Sequence, residues 1–405
     1  VARLTLLRAA VELANAANGV RPLARKGYVT IPVFFLGWPT SEMAPLYLTG
    51  SVLDAVRRGT RGDFRGAQGR IALGVTAAAW VLLVLIQRRN VRSEPIFEAA
   101  LRDSLGDDYH SVASASQPAR KHAGVFATGW SRRRYVKKLD TVRYGPHGRA
   151  NLADIWHRSD LPLDGKAPVL LQVPGGAWSI GMRRPQAYPL LSHLAERGWI
   201  CVSMAYRVSP RNSWPDHIVD VKRALAWIKE NIADYGGDPD FVAISGGSAG
   251  GHLTALAALT PGDPQWQPGF EDADTSVVAA VPVYGRYDWH STRGEGRPQF
   301  IKFLQKFVTK TSFRDHHDVY VDASPINRLR SDAPPFFILH GTDDSIIPVT
   351  EGREFVDELR KVSGSTVAYC EVPHAQHAFD FFGSPRGHYT AEAIERFLSW
   401  VHAKS

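Results

Sequence analysis

Two hydrophobic rhythms divide the chain. From about Tyr135 onward, short apolar runs alternate with stretches in which apolar residues recur every three or four positions. Leu139–Tyr144, Asn151–His157, Val169–Val173, Trp199–Tyr206, Phe241–Ile244, Ser276–Tyr284, Pro335–His340 and Thr366–Val372 read as strands. They are bounded by turn residues such as Gly145-Pro146-His147-Gly148. Tyr188–Arg197, Asp216–Ala233, Thr350–Val362 and the segment carrying Ile394, Phe397, Leu398 and Val401 read as helices. In the second of these, Ile218, Val221, Leu225, Ile228 and Ile232 fall at helical spacing. Alternating strands and helices predict an α/β fold, with a mostly parallel central sheet covered by helices on both faces.

The first 124 residues follow another pattern. Val1–Val20 reads as an amphipathic helix with Leu4, Leu7 and Val11 on one face. Arg8 and Glu12 break the apolar core that a secretory signal requires, so none is expected there. Tyr28–Gly50 is largely apolar but carries Pro32, Pro39, Glu42 and Pro45. Ile71–Ile86 has no charged residue, contains Trp80 and is bracketed by Arg70 and by Arg88-Arg89. At about 16 residues it is just short of the roughly 20 that span a bilayer. Pro95–Leu105 reads as a short helix, and Ser111–Gly124 has the composition of a linker. The expected organisation is an apolar, basic helical region over 1–124 and an α/β domain over 125–405.

Charge sharpens this division. Residues 1–150 hold 23 Lys and Arg against 10 Asp and Glu, a net +13, while the remainder holds 25 against 30, a net −5. The basic residues flank apolar runs, which fits an anionic membrane surface better than nucleic acid. Membrane or cell-envelope association through the N-terminal region is therefore expected, with a cytoplasmic location as the alternative. Cys201 and Cys370 sit in apolar, strand-like runs and are expected to be buried thiols rather than a disulfide.

The candidate chemistry centres on Phe241-Val-Ala-Ile-Ser-Gly-Gly-Ser248-Ala-Gly-Gly251. An apolar strand runs into Gly246-Gly247-Ser248-Ala249-Gly250, and an Ala- and Leu-rich helix follows. Strand, tight turn and helix around G-x-S-x-G form the context of a nucleophile elbow. Ser248 would project from the turn, with the Ala249 N–H at the helix start aimed at developing negative charge. A plain Gly-rich turn is the competing reading. A serine hydroxyl is a weak nucleophile, so it needs a base, and the base needs an orienting acid. In an open α/β sheet these groups follow strands. Asp343 and Asp344 follow one strand, and His374 and His377 follow the next. The order Ser, Asp, His is that of the α/β-hydrolases. After an earlier strand, Pro174-Gly175-Gly176-Ala177-Trp178 offers small residues for oxyanion N–H donors and an apolar wall in Trp178.

At these residues the chain resembles the esterase and lipase branch of the α/β-hydrolase fold, the hormone-sensitive-lipase-like carboxylesterases. It is similar in particular to the mycobacterial Lip-type esterases, which carry a hydrophobic N-terminal extension. The family's His-Gly-Gly-Gly/Ala loop matches Pro174 to Ala177, and its Gly-Asp-Ser-Ala-Gly-Gly matches Gly246 to Gly251. Its acid loop, His-Gly-x-x-Asp-x-x-x-Pro, matches His340 to Pro348 and selects Asp344 over Asp343. Its His-Gly/Ala-Phe ending matches His377-Ala378-Phe379 and selects His377 over His374. Ala205-Tyr-Arg-Val-Ser-Pro210 resembles the family's Tyr-Arg-Leu-Ala-Pro. Pro174 departs from the family histidine and Gly247 from the family aspartate beside the nucleophile.

The resemblance implies a carboxylic-ester hydrolase acting on short- to medium-chain acyl esters or lipids. Ser248 would be the nucleophile, His377 the base and Asp344 the acid. Gly176, Ala177 and Ala249 would form the oxyanion hole, with Gly175 shaping its loop and Trp178 at the substrate pocket. No metal or organic cofactor is implied, and no nucleic-acid partner. The Gly-Gly-Ala-Trp loop also resembles that of arylformamidases, so a formamide or amide is the alternative scissile bond. A non-catalytic hydrolase-fold scaffold is the remaining alternative. Phe300, Ile301, Phe303, Leu304, Phe307 and Val308, opposed by Lys302 and Lys306, mark a helix that either caps the acyl pocket or packs on the core.

Overall fold

The computed structural model describes residues 2–25, 27, 29–113, 124–137, 140–292 and 297–405. Val1, Tyr28, Leu139 and most of the Ser111–Gly124 stretch lie outside the described residues. The N-terminal helices are α1 (Ala2–Val20), α2 (Thr30–Glu42), α3 (Ala44–Thr60), α4 (Gly66–Val91), α5 (Glu94–Leu105) and α6 (Tyr109–Ala113). Short α7 (Val125–Trp130) and α8 (Arg132–Tyr135) lead into the sheet. The strands are β1 (Thr141–Arg143), β2 (Leu152–Trp156), β3 (Ala167–Val173), β4 (Ile200–Met204), β5 (Gly237–Gly247), β6 (Ala279–Val283), β7 (Phe336–Gly341) and β8 (Val367–Val372). Between and after them run α9 (Tyr188–Glu196), α10 (Asp216–Asn231), α11 (Ala249–Leu259), α12 (Arg297–Phe303), α13 (His317–Asp322), α14 (Val349–Val362) and α15 (Pro385–His402).

The strands form one sheet in the order β1-β2-β4-β3-β5-β6-β7-β8. β2 pairs antiparallel with β1 and β4, and every later pairing is parallel. Alternate residues of β3 explain why the strand sequences read as continuous apolar runs. Val169, Leu171 and Val173 pack with Ile218, Val221 and Leu225 of α10 and with Leu253 and Leu256 of α11. Leu170 faces the other layer, with Leu191 and Leu194 of α9 and Phe397 and Leu398 of α15. Phe97, Leu101 and Leu105 of α5 and Tyr109 of α6 belong to that second layer. Cys201 and Cys370 are buried and free, and burial pushes the Cys370 thiol up to about 12.

α4 is longer than its uncharged stretch: 26 residues, or about 39 Å of helix. Its buried residues, Gly69, Ala72, Thr76, Ala79, Leu83, Ile86 and Asn90, are spaced alternately by three and four, the spacing of a helix-packing seam. The small residues in it allow α1 to lie close, and Ala16 of α1 joins Ala79, Leu83 and Ile86 in one cluster. The apolar face expected of α1 is present, but it is not the face that meets α4. Ala9 and Ala16 face inward, and Leu4, Leu7 and Val11 point outward, each about 60% exposed. Close approach to α4 selects the small-residue face over the larger apolar one.

α2 joins this helical region to the sheet. Glu42, at its C-terminal end, is buried against Arg386 of α15 at 2.6 Å and accepts a 2.9 Å bond from Ser384. One turn earlier the Trp38 indole N–H donates to the Ala378 carbonyl at 2.8 Å. Glu42→Ala leaves the buried Arg386 charge without its counter-ion, which costs about 3–5 kcal/mol. Arg8→Ala, which breaks a 3.3 Å pair with Asp54 on the surface, is expected to cost less than about 1 kcal/mol. Urea denaturation of the two variants measures the difference, and equal losses would mean that α2 does not anchor the helical region.

Candidate active site

β5 ends at Gly247 and α11 begins at Ala249, so the whole reversal falls on Ser248. Its backbone sits at φ +59°, ψ −121°, a conformation that side chains rarely adopt. The turn survives because it is held from both sides. The Ser248 N–H donates to Val283 at 2.9 Å, and the Ser248 carbonyl accepts from His252 at 3.0 Å. At Gly250 a Cβ would run into the Val173 carbonyl, which accounts for the glycine at that position. Ser245, three residues earlier, is buried with its hydroxyl donating to Val281 at 3.0 Å. It belongs to the sheet and not to the cavity.

The acid and imidazole candidates separate cleanly. Asp344 follows β7, and its Oδ2 lies 2.6 Å from Nδ1 of His377, which follows β8. Asp344 Oδ1 accepts from the N–H groups of Ile346 and Ile347 at 2.8 and 2.7 Å. Burial alone would raise this carboxyl. The charge of His377 and the bonds from His340 and His377 outweigh it, so Asp344 stays ionised well below the usual carboxylate range. Asp343 instead pairs with Arg25 at 2.6 Å and faces His374 at 3.5 Å. The structure therefore brings Asp344 and His377 together and leaves Asp343 and His374 on the outer side. Tyr284 makes ring contact with His377 and lies against Gly247, which places the imidazole beside the elbow.

The loop after β3 carries the remaining candidates. Gly175 does not offer its N–H to the cavity, because that group donates to Gln186 Oε1 at 2.7 Å. The Gln186 amide returns a bond to the Gly175 carbonyl at 3.2 Å, and Tyr206 holds the Pro174 carbonyl at 3.1 Å. No acceptor is found for the N–H groups of Gly176, Ala177 and Ala249 among the described residues. Trp178 is buried and ties the loop to the nucleophile helix. Its indole N–H donates to His252 Nδ1 at 3.2 Å, while His252 Nε2 donates to the Ala323 carbonyl at 2.7 Å. These partners fix the neutral His252 tautomer, and burial pushes its pKa down to about 3. His217 lies beneath, 3.1 Å from the Ser209 hydroxyl, and is likewise pushed down to about 3.

Ser248, Asp344, Ala177 and Trp178 open onto one cavity of about 480 Å³. Phe300 and Phe303 of α12 line it, as does Arg286, which packs over the Phe300 ring. Leu304 and Val308, just beyond, are buried in the core. This segment thus both walls the cavity and packs on the sheet. The N-terminal region contributes as well. Arg25 and Ile31 line the cavity, and Phe34 meets the His377 ring edge-on at 5.9 Å. These N-terminal residues, with Tyr284, Gln186 and His252, are absent from the sequence-derived site. Gly247 in place of the family aspartate was the one local signal pointing toward Tyr284. Among the described residues, no group of three His, Cys, Asp or Glu is arranged to hold a metal ion.

A mostly parallel sheet with a strained serine at a strand–helix turn and a buried acid–imidazole pair is the arrangement of an α/β-hydrolase. Comparison with known proteins agrees. The BD-FAE family model matches residues 158–359. The probable carboxylic ester hydrolase LipM of Mycobacterium tuberculosis is 47% identical over 98% of this chain and 93% of its own length. Esterase LipQ of the same organism is 44% identical over 91% of this chain and 84% of its own length. The butyrate-bound esterase 2 of Thermogutta terrifontis superposes with a TM-score of 0.55 at 25% identity, covering 64% of this chain and 92% of that one. The chain belongs to the hormone-sensitive-lipase-like α/β-hydrolase esterases, alongside the mycobacterial Lip enzymes, and is a carboxylic-ester hydrolase.

The two buried imidazoles make stability depend on pH in a defined window. Both stay neutral in the fold down to about pH 3, whereas the unfolded chain protonates them near the ordinary value of 6.5. Below about pH 6.5 the unfolded state binds more protons, so stability falls as pH drops, by about 1.4 kcal/mol per unit for each imidazole. Asp344 adds its own loss only as pH nears the ordinary carboxylate value of about 4. Urea denaturation at pH 7, 6 and 5 is expected to show this slope, and His252→Gln to reduce it. An unchanged slope in that variant would mean His252 is not neutral and buried as described.

Proposed function

We propose that Ser248, His377 and Asp344 form the catalytic triad of this esterase. The buried 2.6 Å contact between Asp344 and His377, beside the strained turn at Ser248, carries the reading. Ser248 attacks the acyl carbonyl while His377 accepts its proton. Asp344 holds the imidazole in one tautomer and stabilises the imidazolium. The N–H groups of Gly176, Ala177 and Ala249 take the oxyanion. His377 then protonates the leaving alcohol, and water releases the acyl-enzyme. The bounded cavity walled by Trp178, Phe300 and Phe303 supports short- to medium-chain acyl esters as substrates. Butyrate in the Thermogutta esterase fits the same range.

Ser248→Ala and His377→Ala are expected to lower hydrolysis of p-nitrophenyl butyrate by several orders of magnitude, about 10⁴-fold or more, with the fold retained. Asp344→Asn is expected to be severe and Asp343→Asn mild, because Asp343 pairs with Arg25. A fluorophosphonate probe should label Ser248 and spare the buried Ser245. Faster turnover of emulsified long-chain triglyceride than of butyrate to octanoate esters would overturn the chain-length assignment. Preference for N-formylkynurenine over those esters would favour the formamidase reading.

We infer further that the N-terminal helices hold the protein at a membrane. Gly66–Leu105, which contains α4, is the one helical stretch among the described residues long and apolar enough to cross a bilayer. Leu4, Leu7, Val11, Leu53, Val56 and Val81 are all more than 59% exposed. α2 turns Phe34 toward the site and exposes Phe35 and Leu36 away from it, with Ile31 half-exposed at the cavity wall. Arg57, Arg61, Arg65 and Arg70 precede the apolar core of α4, and Arg88, Arg89 and Arg92 follow it, whereas Arg58 is buried against Asp54. Each arginine near anionic head groups contributes roughly 1 kcal/mol, less as salt screens it. Fractionation tests this. The full chain is expected to pellet with membranes and to resist a high-salt wash. Recovery in the soluble fraction without detergent would instead make these helices a soluble cap.

A further inference from the structure

Gly247 leaves a space beside the nucleophile that another residue fills. A Cβ at this position would lie 2.6 Å from the Tyr284 hydroxyl and 2.7 Å from its ring. Tyr284 follows β6, and its N–H donates to the Leu339 carbonyl at 2.7 Å. Its hydroxyl donates to Asp380, three residues beyond His377. Its ring centroid is 4.7 Å from that of His377 and 5.5 Å from that of Phe379. Burial and the neighbouring carboxylate keep the phenol proton in place, with its pKa well above the ordinary value. Tyr284 adopts φ +39°. Such a backbone is strained and persists only where the surroundings hold it.

These contacts run from the elbow to the imidazole and back. Gly247 meets Tyr284, Tyr284 bonds Asp380, and Asp380 belongs to the same loop as His377. The bond from His377 Nδ1 to Asp344 sets the direction of the imidazole but leaves its plane free to swing about the bond. A ring pinned at its far end by a hydrogen bond removes that freedom. We propose that Tyr284 and Asp380 are a positioning pair that sets the plane of the His377 imidazole toward Ser248, occupying the space that Gly247 leaves open. The proposal rests on the reading of His377 as the catalytic base. Neither residue touches substrate in this role, and both act through His377.

Tyr284→Phe keeps the ring and removes only the tie. It is expected to lower kcat about tenfold or more, since sub-ångström misplacement of a reacting group is costly, with KM little changed. Asp380→Ser, whose side chain is too short to reach the phenol, is expected to give the same loss. Asp380→Asn keeps an acceptor for the hydroxyl and is expected to recover most of the activity. The Tyr284→Phe/Asp380→Ser double variant should be no slower than either single one, because both break one bond. A ring that only fills space would leave kcat in Tyr284→Phe within about twofold of the parent and change stability alone. That result, or losses that multiply in the double variant, would overturn the proposal. If Tyr284→Phe does not fold, Asp380→Ser compared with Asp380→Asn carries the same test without altering the ring. His377→Ala separates the two levels. Retained activity there refutes the base itself, whereas its loss beside unimpaired Tyr284→Phe and Asp380→Ser refutes only the positioning pair.

Discussion

The reversal at Ser248 has no slack, and much of the site follows from that. A strand and a helix meet at a single residue with φ +59°. The chain can do this only where neighbouring backbones come closer than a Cβ would allow. The ends of β3, β5 and β6 are in register here, with Val173 opposite Gly246 and Gly247 opposite Val283. The loop leaving β3 must therefore cross close to the elbow, and a Cβ on Gly175 would fall 3.2 Å from that of Ser248. Crowding of this kind turns a flexible Gly-rich segment into a fixed one. It also explains why so many side chains around the turn hold backbone groups. Gln186 and Tyr206 hold backbone groups of the crossing loop, and the Trp178 indole ties the loop to the His252 side chain.

Electrostatics divides the same region into an inner and an outer layer. Two adjacent aspartates follow β7, yet their surroundings give them different partners. Asp344 points inward, where two backbone N–H groups and His377 hold its charge in a place that would otherwise neutralise it. Asp343 points outward and receives Arg25 from the N-terminal segment. One β-strand exit thus links the buried acid–imidazole pair to the helical region. A buried ion pair is weak evidence for net stability, because desolvation offsets attraction, but it specifies geometry strongly when every lone pair is used. Asp344 uses Oδ1 for two backbone N–H groups and Oδ2 for His377, so its direction is set from both ends.

Legibility in the sequence tracked the range of the interaction. The strands were readable because each is buried on both faces, so its apolar run is continuous. Ser248, Asp344 and His377 were readable because elbow, acid loop and imidazole loop each follow a strand in a fixed chain order. Spacing left Asp343 beside Asp344 and His374 beside His377, and motif resemblance chose between them. Periodicity finds an apolar face but not what that face meets. Leu4, Leu7 and Val11 did lie on one side of α1, yet the small residues on the other side made the closer contact with α4. The partnerships of Arg25 with Asp343 and of Glu42 with Arg386 span 318 and 344 positions. Nothing local encodes such pairs. Gly247 was visible as a departure from the family, but only the fold reveals that Tyr284 stands in the vacated space.

α2 places unusual demands on one short helix. It is apolar nearly all round, the composition of a helix buried on every side. Only part of it is buried here. Phe34 and Trp38 reach His377 and the Ala378 carbonyl, and Trp38 also packs against Phe381 and Phe382. Phe35 and Leu36 remain about 60% exposed, and Ile31, about half exposed, belongs to the cavity wall as well. One helix therefore contacts the imidazole on one side and carries an uncovered apolar surface on the other. Any apolar phase that covers that surface would sit one helix diameter, about 10 Å, from the His377 imidazole. Because Ile31 lies on both boundaries, whatever covers α2 also borders the entrance to the cavity. The uncovered apolar surface and one wall of the cavity are then properties of the same helix. This gives a physical reason for Glu42 and Arg386 to fix its orientation: a slip of one turn would move Phe34 off His377 and Ile31 off the cavity wall.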